Sequence, residues 1–232
     1  MYRSTCYNHQ ILKERIENMK AIVIGATGAT GRELVKQLLA KEWVSEVVAL
    51  VARKKLPDHG KLNQQIIDFD KIEEYADLIK GDIAFTCMGT TLKIAGSKEA
   101  QWKVDYDYQY QFAQIAKRNG VPTFVLLSAM NADSRSSVFY SKMKGKLEES
   151  IVNLDFSRLI IFHPSLLIRP NTDRPLEKLS ANILNGLNKI GLLKKYKPLR
   201  VSDVATAMIE STHHFNHKIN RIEVEDILTL IK

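Results

Sequence analysis

Short runs of β-branched and aliphatic residues alternate along the chain with longer segments whose apolar residues recur every three to four positions. Buried parallel strands are short apolar runs and amphipathic helices repeat at helical spacing, so this alternation predicts strand–helix units. Strands are predicted at 21–24, 46–51, 65–68, 82–87, 123–128 and 157–162, and helices at 32–41, 72–79, 97–118 and 137–152. Six strands that alternate with helices indicate an α/β fold with a doubly wound parallel sheet.

The regular alternation ends at about Pro164. Prolines punctuate the basic stretch that follows, which contains one predicted helix at 176–190. In doubly wound proteins such a segment usually folds over the bound ligand, so we interpret 165–200 as a small C-terminal lid region. A further helix is predicted after Ser202, which with Asp203 is typical of an N-terminal cap.

Composition excludes several classes of protein. The 232 residues are 45% hydrophobic, which is too apolar for a disordered chain, and no run approaches the ~20 apolar residues of a membrane-spanning helix. The first 20 residues lack the apolar core of a secretory signal, and Cys6 and Cys87 allow at most one disulfide. These features predict a cytoplasmic protein without a membrane partner.

The net charge of +8 is concentrated in one region. Residues 166–200 hold eight basic and two acidic residues. Such a surface binds nucleic acid, an anionic lipid or a phosphate-bearing ligand, but a solvated face without a partner is commoner and is favoured here. Nucleic-acid binding ranks last, and it would make affinity for DNA or RNA depend steeply on salt.

A glycine-rich turn joins the first predicted strand to the first helix. It consists of Gly25, Ala26, Thr27, Gly28, Ala29, Thr30 and Gly31. Glycines at such a junction let the backbone turn tightly and approach a pyrophosphate, whose charge lies at the helix N-terminus. Because the turn lies in the first strand–helix unit, it favours dinucleotide binding over a merely structural role.

The end of the second predicted strand distinguishes the two nicotinamide dinucleotides. An acidic residue there would bind the ribose 2′-hydroxyl of NAD, whereas this chain has Arg53 and Lys54 and no carboxylate. Both cations suit a 2′-phosphate, so NADPH is favoured over NADH, with ordinary surface charges as the alternative. Asp68 closes the third predicted strand and is expected near the adenine, unless it is a simple strand-end cap.

Three polar residues form a candidate catalytic set. Tyr140 and Lys144 lie four residues apart on a predicted helix and share one face, and Ser128 ends the fifth predicted strand. A phenol is a poor acid–base group at neutral pH without a cation beside it, and Lys144 would supply that charge. Tyr140 would then pass a proton while Ser128 bonds a carbonyl or alcohol oxygen. A surface Tyr–Lys pair is the alternative.

Together these features resemble the short-chain dehydrogenase/reductase superfamily. Within it, segments 87–91, 95–96, 104–108, 140–145 and 162–164 resemble the atypical Tat-interacting-protein group. The resemblance covers residues 19 to about 211. It implies a Rossmann fold that binds NADPH, with the tyrosine as the catalytic acid.

The resemblance also implies where the cofactor lies. Residues 25–31 would hold the pyrophosphate, and Arg53 with Lys54 would meet the adenosine phosphate. Tyr140 and Lys144 would contact the nicotinamide ribose. Cys87, Met88 and Gly89 would pass beside the cofactor, and Pro164 with Leu167 would border the nicotinamide amide.

Three positions depart from the pattern of the group. Ala129 follows Ser128 where relatives often carry a second serine, and His163 stands where arginine is more usual. Asp105 occupies a position that is asparagine in many related enzymes, where it supports a proton relay. These departures leave the proton route and the substrate open.

The chain is therefore predicted to have three parts. Residues 1–18 form an N-terminal extension, and residues 19–164 form the NADP-binding Rossmann domain. Residues 165–232 form the lid or substrate region and the closing elements of the same domain.

Two functions from different classes remain. The first is an NADP(H)-dependent oxidoreductase that moves hydride between the nicotinamide and a small carbonyl or alcohol substrate. The second is a binding protein that senses NADPH and regulates a protein partner with little turnover. An intact Ser–Tyr–Lys set favours the first, because a sensor has no need of the tyrosine hydroxyl. Monomer and homodimer both stay open.

Two weaker signals concern metals and thiols. His213, His214 and His217 cluster near a helix end, but no cysteine or carboxylate completes a known pattern, so no metal is expected. Cys87 ends a strand near the expected nicotinamide. A buried, inert thiol is favoured there over a redox-sensitive one.

Overall fold

The structure is a computed structural model that describes residues 18–54, 56–169 and 196–232. Seven of the strands found there form one sheet, and two short strands pair separately. The sheet contains β1 (Met19–Ile24), β2 (Val44–Val51), β3 (Leu62–Ile66), β4 (Ile83–Thr86), β5 (Thr123–Leu127), β6 (Arg158–Phe162) and β9 (Ile219–Ile222). The separate parallel pair is β7 (Leu167–Ile168) and β8 (Leu199–Arg200).

The sheet order is β3-β2-β1-β4-β5-β6-β9, and every neighbouring pair is parallel. The predicted doubly wound α/β fold is thereby confirmed. The direction of winding reverses between β1 and β4, and in open α/β sheets a ligand crevice forms outside the strand ends at such a reversal. The topology therefore directs attention to the carboxyl ends of β1, β4 and β5.

Helices cover both faces of the sheet. They are α1 (Ala29–Leu39), α2 (Leu92–Ala95), α3 (Lys98–Trp102), α4 (Tyr108–Arg118), α5 (Phe139–Val152), α6 (Val201–His214) and α7 (Val224–Leu230), with a 3-10 segment at Phe69–Leu78 and a π-helical turn at Lys103–Asp107. Successive strand residues point to opposite faces, so Val23 packs in one core with Met208 of α6, and Ile22 packs in the other with Phe112 of α4 and Leu147 of α5.

The predicted strands match the observed ones to within a few residues, but β9 escaped prediction. It lies at the edge of the sheet, where Asn220 and Arg221 interrupt the apolar run and Ile219 is exposed. An edge strand that is only half buried lacks the continuous apolar signal of the central strands.

Two helix predictions need correction. The segment predicted as a helix at 72–79 consists of 3-10 turns, because the backbone leaves helical angles at Lys71 and Tyr75. The helix after β8 begins at Val201 with Arg200 as its N-cap, so Ser202 and Asp203 lie inside the first turn rather than at the cap. The pairing of β8 with β7 determines this start, since the strand ends immediately before the helix.

The predicted helix at 176–190 lies outside the described residues, as do most of the predicted lid and most of the predicted N-terminal extension. In the parts of the chain that the structure does describe, no helix has the length and apolar character to cross a membrane.

Candidate functional site

The turn between β1 and α1 is closed so tightly that two of its positions exclude a side chain. Gly25 has a φ of 74°, in the left-handed region, and a Cβ there would lie 2.4 Å from the carbonyl carbon of Cys87. A Cβ on Gly31 would lie 2.2 Å from the carbonyl oxygen of Gly25. Gly28 is the N-cap of α1 and provides no side-chain cap, which leaves first-turn N–H groups for an anion.

A cavity of about 610 Å³ opens beside this turn, at the carboxyl edge of the sheet. Of the residues proposed from the sequence, its lining contains Gly28, Ala29, Thr30, Cys87, Met88, Gly89, Ser128, Tyr140, Lys144 and Leu167. The remaining proposed residues are all described and lie outside this lining: Gly25, Thr27, Gly31, Arg53, Lys54, Asp68 and Pro164. One cavity therefore joins part of the glycine turn to the candidate catalytic set.

The helix α5 presents Tyr140 and Lys144 to this cavity in different ways. Tyr140, in the first turn, is 39% exposed, and its hydroxyl has no hydrogen-bond partner among the described residues. The side chain of Lys144 is 2% exposed, and its Nζ lies 3.3 Å from Oδ1 of Asp105. The lysine thus holds its charge at the base of the cavity beside a buried carboxylate.

Asp105 owes its position to the π-helical turn between α3 and α4. Its Oδ2 accepts a hydrogen bond from the backbone N–H of Thr90 at 2.9 Å, while Oδ1 lacks a hydrogen bond within the described ranges. Burial raises the pKa of Asp105 above its usual value, against the opposing effects of the Lys144 charge and the Thr90 N–H. π turns often occur at functional sites, and this one places a buried carboxyl under the cavity.

Ser128 follows β5 directly, and its hydroxyl donates to the carboxylate of Glu148. The same carboxylate oxygen lies 3.0 Å from Nε2 of His163, whose Nδ1 lies 2.6 Å from Glu223. Sequence reasoning missed Glu148 and Glu223. The one available signal was the spacing of Glu148, four residues after Lys144 and therefore on the same helical face.

The residues proposed for the adenosine end lie beyond the cavity. Arg53 is exposed and makes no ion pair or side-chain hydrogen bond with any described residue, whereas Nζ of Lys54 lies 2.7 Å from Asp58. Asp68 caps the 3-10 segment by accepting from the N–H of Asp70 at 3.0 Å. It also lines a second groove, together with Ala52, Ile66, Ile67, Phe69, Tyr75 and Tyr108. Asp68 therefore acts as a cap, and it also lies beside a surface groove.

Cys87, His213 and His214 each have surroundings that indicate a structural role. Burial raises the pKa of Cys87 to about 12 despite the nearby Lys144 charge, so the thiol is protonated at neutral pH. The ring of His213 packs edge-on against Trp43 at 4.7 Å, and Nδ1 of His214 bonds the carbonyl of Glu210. Across the described ranges, no group of three potential ligands is arranged for a metal ion.

Comparison with protein families identifies the family of this chain. Residues 25–154 match the model of a family described as NAD(P)H-binding. The chain belongs to this NAD(P)H-binding family. Its relatives there include Protein HTATIP2 of Rattus norvegicus, which is 36% identical over 75% of this chain and 73% of the relative. Protein FMP52-1, mitochondrial, of Scheffersomyces stipitis is 33% identical over 83% of this chain and 88% of the relative. The predicted membership of the atypical, Tat-interacting-protein-like group is confirmed.

Solved structures share this fold, and one of the two described next holds NAD. MoeE5 in complex with UDP-glucose and NAD superposes with a TM-score of 0.68, at 15% identity, over 91% of this chain and 80% of MoeE5. The UDP-glucose 4-epimerase of Thermotoga maritima, with UDP-glucose, gives a TM-score of 0.67 at 12% identity, over 92% of this chain and 82% of the epimerase. At such identities the likeness establishes the Rossmann-type fold.

The expected cytoplasmic location is wrong. The FMP52 relatives from several yeasts, among them Meyerozyma guilliermondii and Candida albicans, are named as mitochondrial proteins. The expectation rested on the polar first residues and the small number of thiols. Neither feature distinguishes the cytosol from a mitochondrial compartment.

Proposed function

We propose that this member of the NAD(P)H-binding family is an NADP(H)-dependent oxidoreductase that transfers hydride between the nicotinamide and a carbonyl or alcohol carbon. One observation carries the proposal: a single cavity is lined both by the glycine turn and by Tyr140 and Lys144. The turn suits a dinucleotide, because Gly25 and Gly31 let it pack closely against neighbouring backbone, and the uncapped first turn of α1 at Gly28 lines the cavity. When bound there, the cofactor supplies or accepts the hydride.

The remaining chemistry is proton transfer by the residues of the chain. In the proposal, the exposed Tyr140 hydroxyl gives a proton to the substrate oxygen during reduction and takes it back during oxidation. Lys144 stabilises the tyrosinate by its charge. Asp105 neutralises part of that charge while the site is at rest, since the two side chains form a buried pair.

The proposed preference for NADPH over NADH rests on one cation. Arg53 is available for a 2′-phosphate, whereas Lys54 already pairs with Asp58. An exposed guanidinium with no partner among the described residues forms charge-assisted, bidentate bonds with phosphate at little cost. We therefore assign the phosphate-reading role to Arg53 first and to Lys54 second.

The wall around Tyr140 supports an apolar substrate. Leu92, Ile94 and Val138 line the cavity and are largely exposed. Leu167 and Arg169 also line the cavity, which supports the assignment of residues 165–232 to a substrate region. An aromatic aldehyde is thus a suitable first probe of turnover.

The test is NADPH consumption with 4-nitrobenzaldehyde, by the natural chain and by Tyr140→Phe. Turnover by the natural chain that falls at least about 100-fold in Tyr140→Phe, with NADPH binding retained, is the expected result. The control is Tyr110→Phe, which removes a hydroxyl from α4 outside the cavity and keeps full turnover. Tight NADPH binding without turnover of this aldehyde or a panel of related carbonyls would instead support a cofactor-sensing protein.

A further inference from the structure

A chain of hydrogen bonds leads from the cavity to the surface along the carboxyl edge of the sheet. Ser128, His163 and Glu223 directly follow β5, β6 and β9, which are neighbours in the sheet. Glu148 of α5 joins the first two, because its carboxylate accepts from the Ser128 hydroxyl and lies 3.0 Å from Nε2 of His163. Nδ1 of His163 completes the chain at 2.6 Å from Glu223.

Exposure increases steadily along this chain. Ser128, which lines the cavity, is 5% exposed, and the side chains of Glu148 and His163 are 9% and 12% exposed. Glu223 at the outer end is 58% exposed. The four groups therefore connect a buried hydroxyl to bulk water without a gap.

His163 is held between two carboxylates. Burial alone would lower its pKa, but the hydrogen bonds and charges of Glu148 and Glu223 outweigh burial and raise it. Glu148 and His163 line a surface groove of their own, and the other charged groups in its lining are Asp133, Arg135, Glu149 and Arg221. Asp133 and Arg135 form a pair at 3.7 Å, and Glu149 accepts a hydrogen bond from Ser134, so the two contacting carboxylates dominate the surroundings of the imidazole.

We propose that Glu148 and His163 form a proton route between the Ser128 hydroxyl in the cavity and the solvent at Glu223. The inference rests on the proposed oxidoreductase function, because only a reaction that consumes or releases protons needs such a route. Position in the sheet supports it, since three neighbouring strands place one proton-carrying group each at the same edge.

In the direction of reduction, Tyr140 becomes a tyrosinate when it protonates the substrate oxygen. The Ser128 hydroxyl first turns from Glu148 toward the tyrosinate in the same cavity and gives it its proton. Oγ of Ser128 then takes a proton from Glu148, which receives the Nε2 proton of the His163 imidazolium. The neutral imidazole keeps its Nδ1 proton, so the ring flips to bring the bare Nε2 to the Glu223 side, where it takes up a proton from solvent. One proton moves from solvent to the cavity, only O–H and N–H bonds change, and no electrons move along the route.

In the direction of oxidation, the same groups work in reverse. The Ser128 hydroxyl already donates to Glu148, so its oxygen is free to accept a proton from the cavity. Outward transfer therefore begins without rotation of the serine.

The experiment compares kcat for NADPH and 4-nitrobenzaldehyde in His163→Gln and Glu148→Gln at increasing imidazole concentration. We expect kcat to fall about tenfold in both variants with KM unchanged. Imidazole restores kcat in His163→Gln, because it replaces the missing carrier next to Glu148. Imidazole does not restore kcat in Glu148→Gln, because the missing group there lies between Ser128 and the position that imidazole can occupy. Glu149→Gln, the next residue on α5, is the matched control and keeps its kcat.

Several results would overturn the route. One is an unchanged kcat in His163→Gln. Another is a lowered kcat that does not rise with imidazole, because it would show that His163 has a structural role. Calorimetric NADPH binding verifies that each variant is folded. If His163→Gln does not fold, Glu223→Gln decides: the route requires a kcat that rises with imidazole, and a flat response refutes it. A natural chain that binds NADPH without turnover would refute the proposed function itself, whereas the other results refute only the route.

Discussion

At the glycine turn the cavity is bounded by the first turn of α1, whereas at α5 it is bounded by Tyr140 and by the buried Lys144, which pairs with Asp105 behind the lining. The first end depends on close backbone packing, since Gly25 and Gly31, just behind the cavity lining, have no room for a Cβ. The second end works by balance of charge, since Lys144 and Asp105 compensate each other at 2% and 1% exposure. Substitutions at the first end should therefore act through side-chain volume at any pH. Substitutions at the second end should act through charge, and their effect should depend on pH.

The largest effect is expected at the charged end. Lys144→Met leaves the Asp105 carboxylate buried without its partner, which costs about 3–5 kcal/mol in the free energy of unfolding. Burial already raises the pKa of Asp105, and the loss of Lys144 raises it further. A carboxyl whose pKa is higher in the folded than in the unfolded state destabilises the fold once the pH rises above its unfolded-state pKa. The loss of stability in Lys144→Met should therefore be larger at pH 8 than at pH 5.

Urea unfolding of Lys144→Met at both pH values measures this effect. The double variant Lys144→Met with Asp105→Asn should recover at least half of the loss, because the amide keeps an acceptor for Thr90 and carries no charge. Lys80→Met removes one partner of an exposed pair and serves as the control without a measurable change. A loss that does not depend on pH would contradict the charge balance.

The next effect is expected at the backbone end. Gly31→Ala forces the turn open, because the new Cβ would lie 2.2 Å from the carbonyl oxygen of Gly25. Overpacking of this kind costs about 1–3 kcal/mol in stability, and the free energy of NADPH binding should weaken by a similar or greater amount. Gly60→Ala is the matched control, since no atom lies within 4 Å of its added Cβ. Calorimetry would refute the steric account if both variants bound NADPH equally.

The smallest effect is expected at the adenosine end, where a single exposed side chain acts. Arg53→Ala removes the proposed phosphate contact of an exposed cation, so NADPH affinity should fall by about 0.5–1 kcal/mol while NADH affinity stays unchanged. Lys54→Ala should weaken NADPH less, because Lys54 is shared with Asp58. Titration of both nucleotides into both variants measures the difference. Equal losses for NADPH and NADH would show that Arg53 does not read the phosphate.

Local patterns explain why much of the fold was predictable. The central strands β1, β4 and β5 are buried on both faces, so their apolar runs are visible in the sequence. The glycine turn and the spacing of Tyr140 and Lys144 are also local features. By contrast, β9 is an edge strand with polar residues, and its place beside β6 depends on a partner far away in the chain.

The sequence by itself determined the strand–helix order, the glycine turn and the shared helical face of Tyr140 and Lys144, because each depends on residues close together in the chain. Only the tertiary structure decided which side chains meet. It joined Lys144 to Asp105, and Ser128 through Glu148 and His163 to Glu223. These contacts depend on the order of strands in the sheet, and no spacing along the chain encodes which strand ends become neighbours.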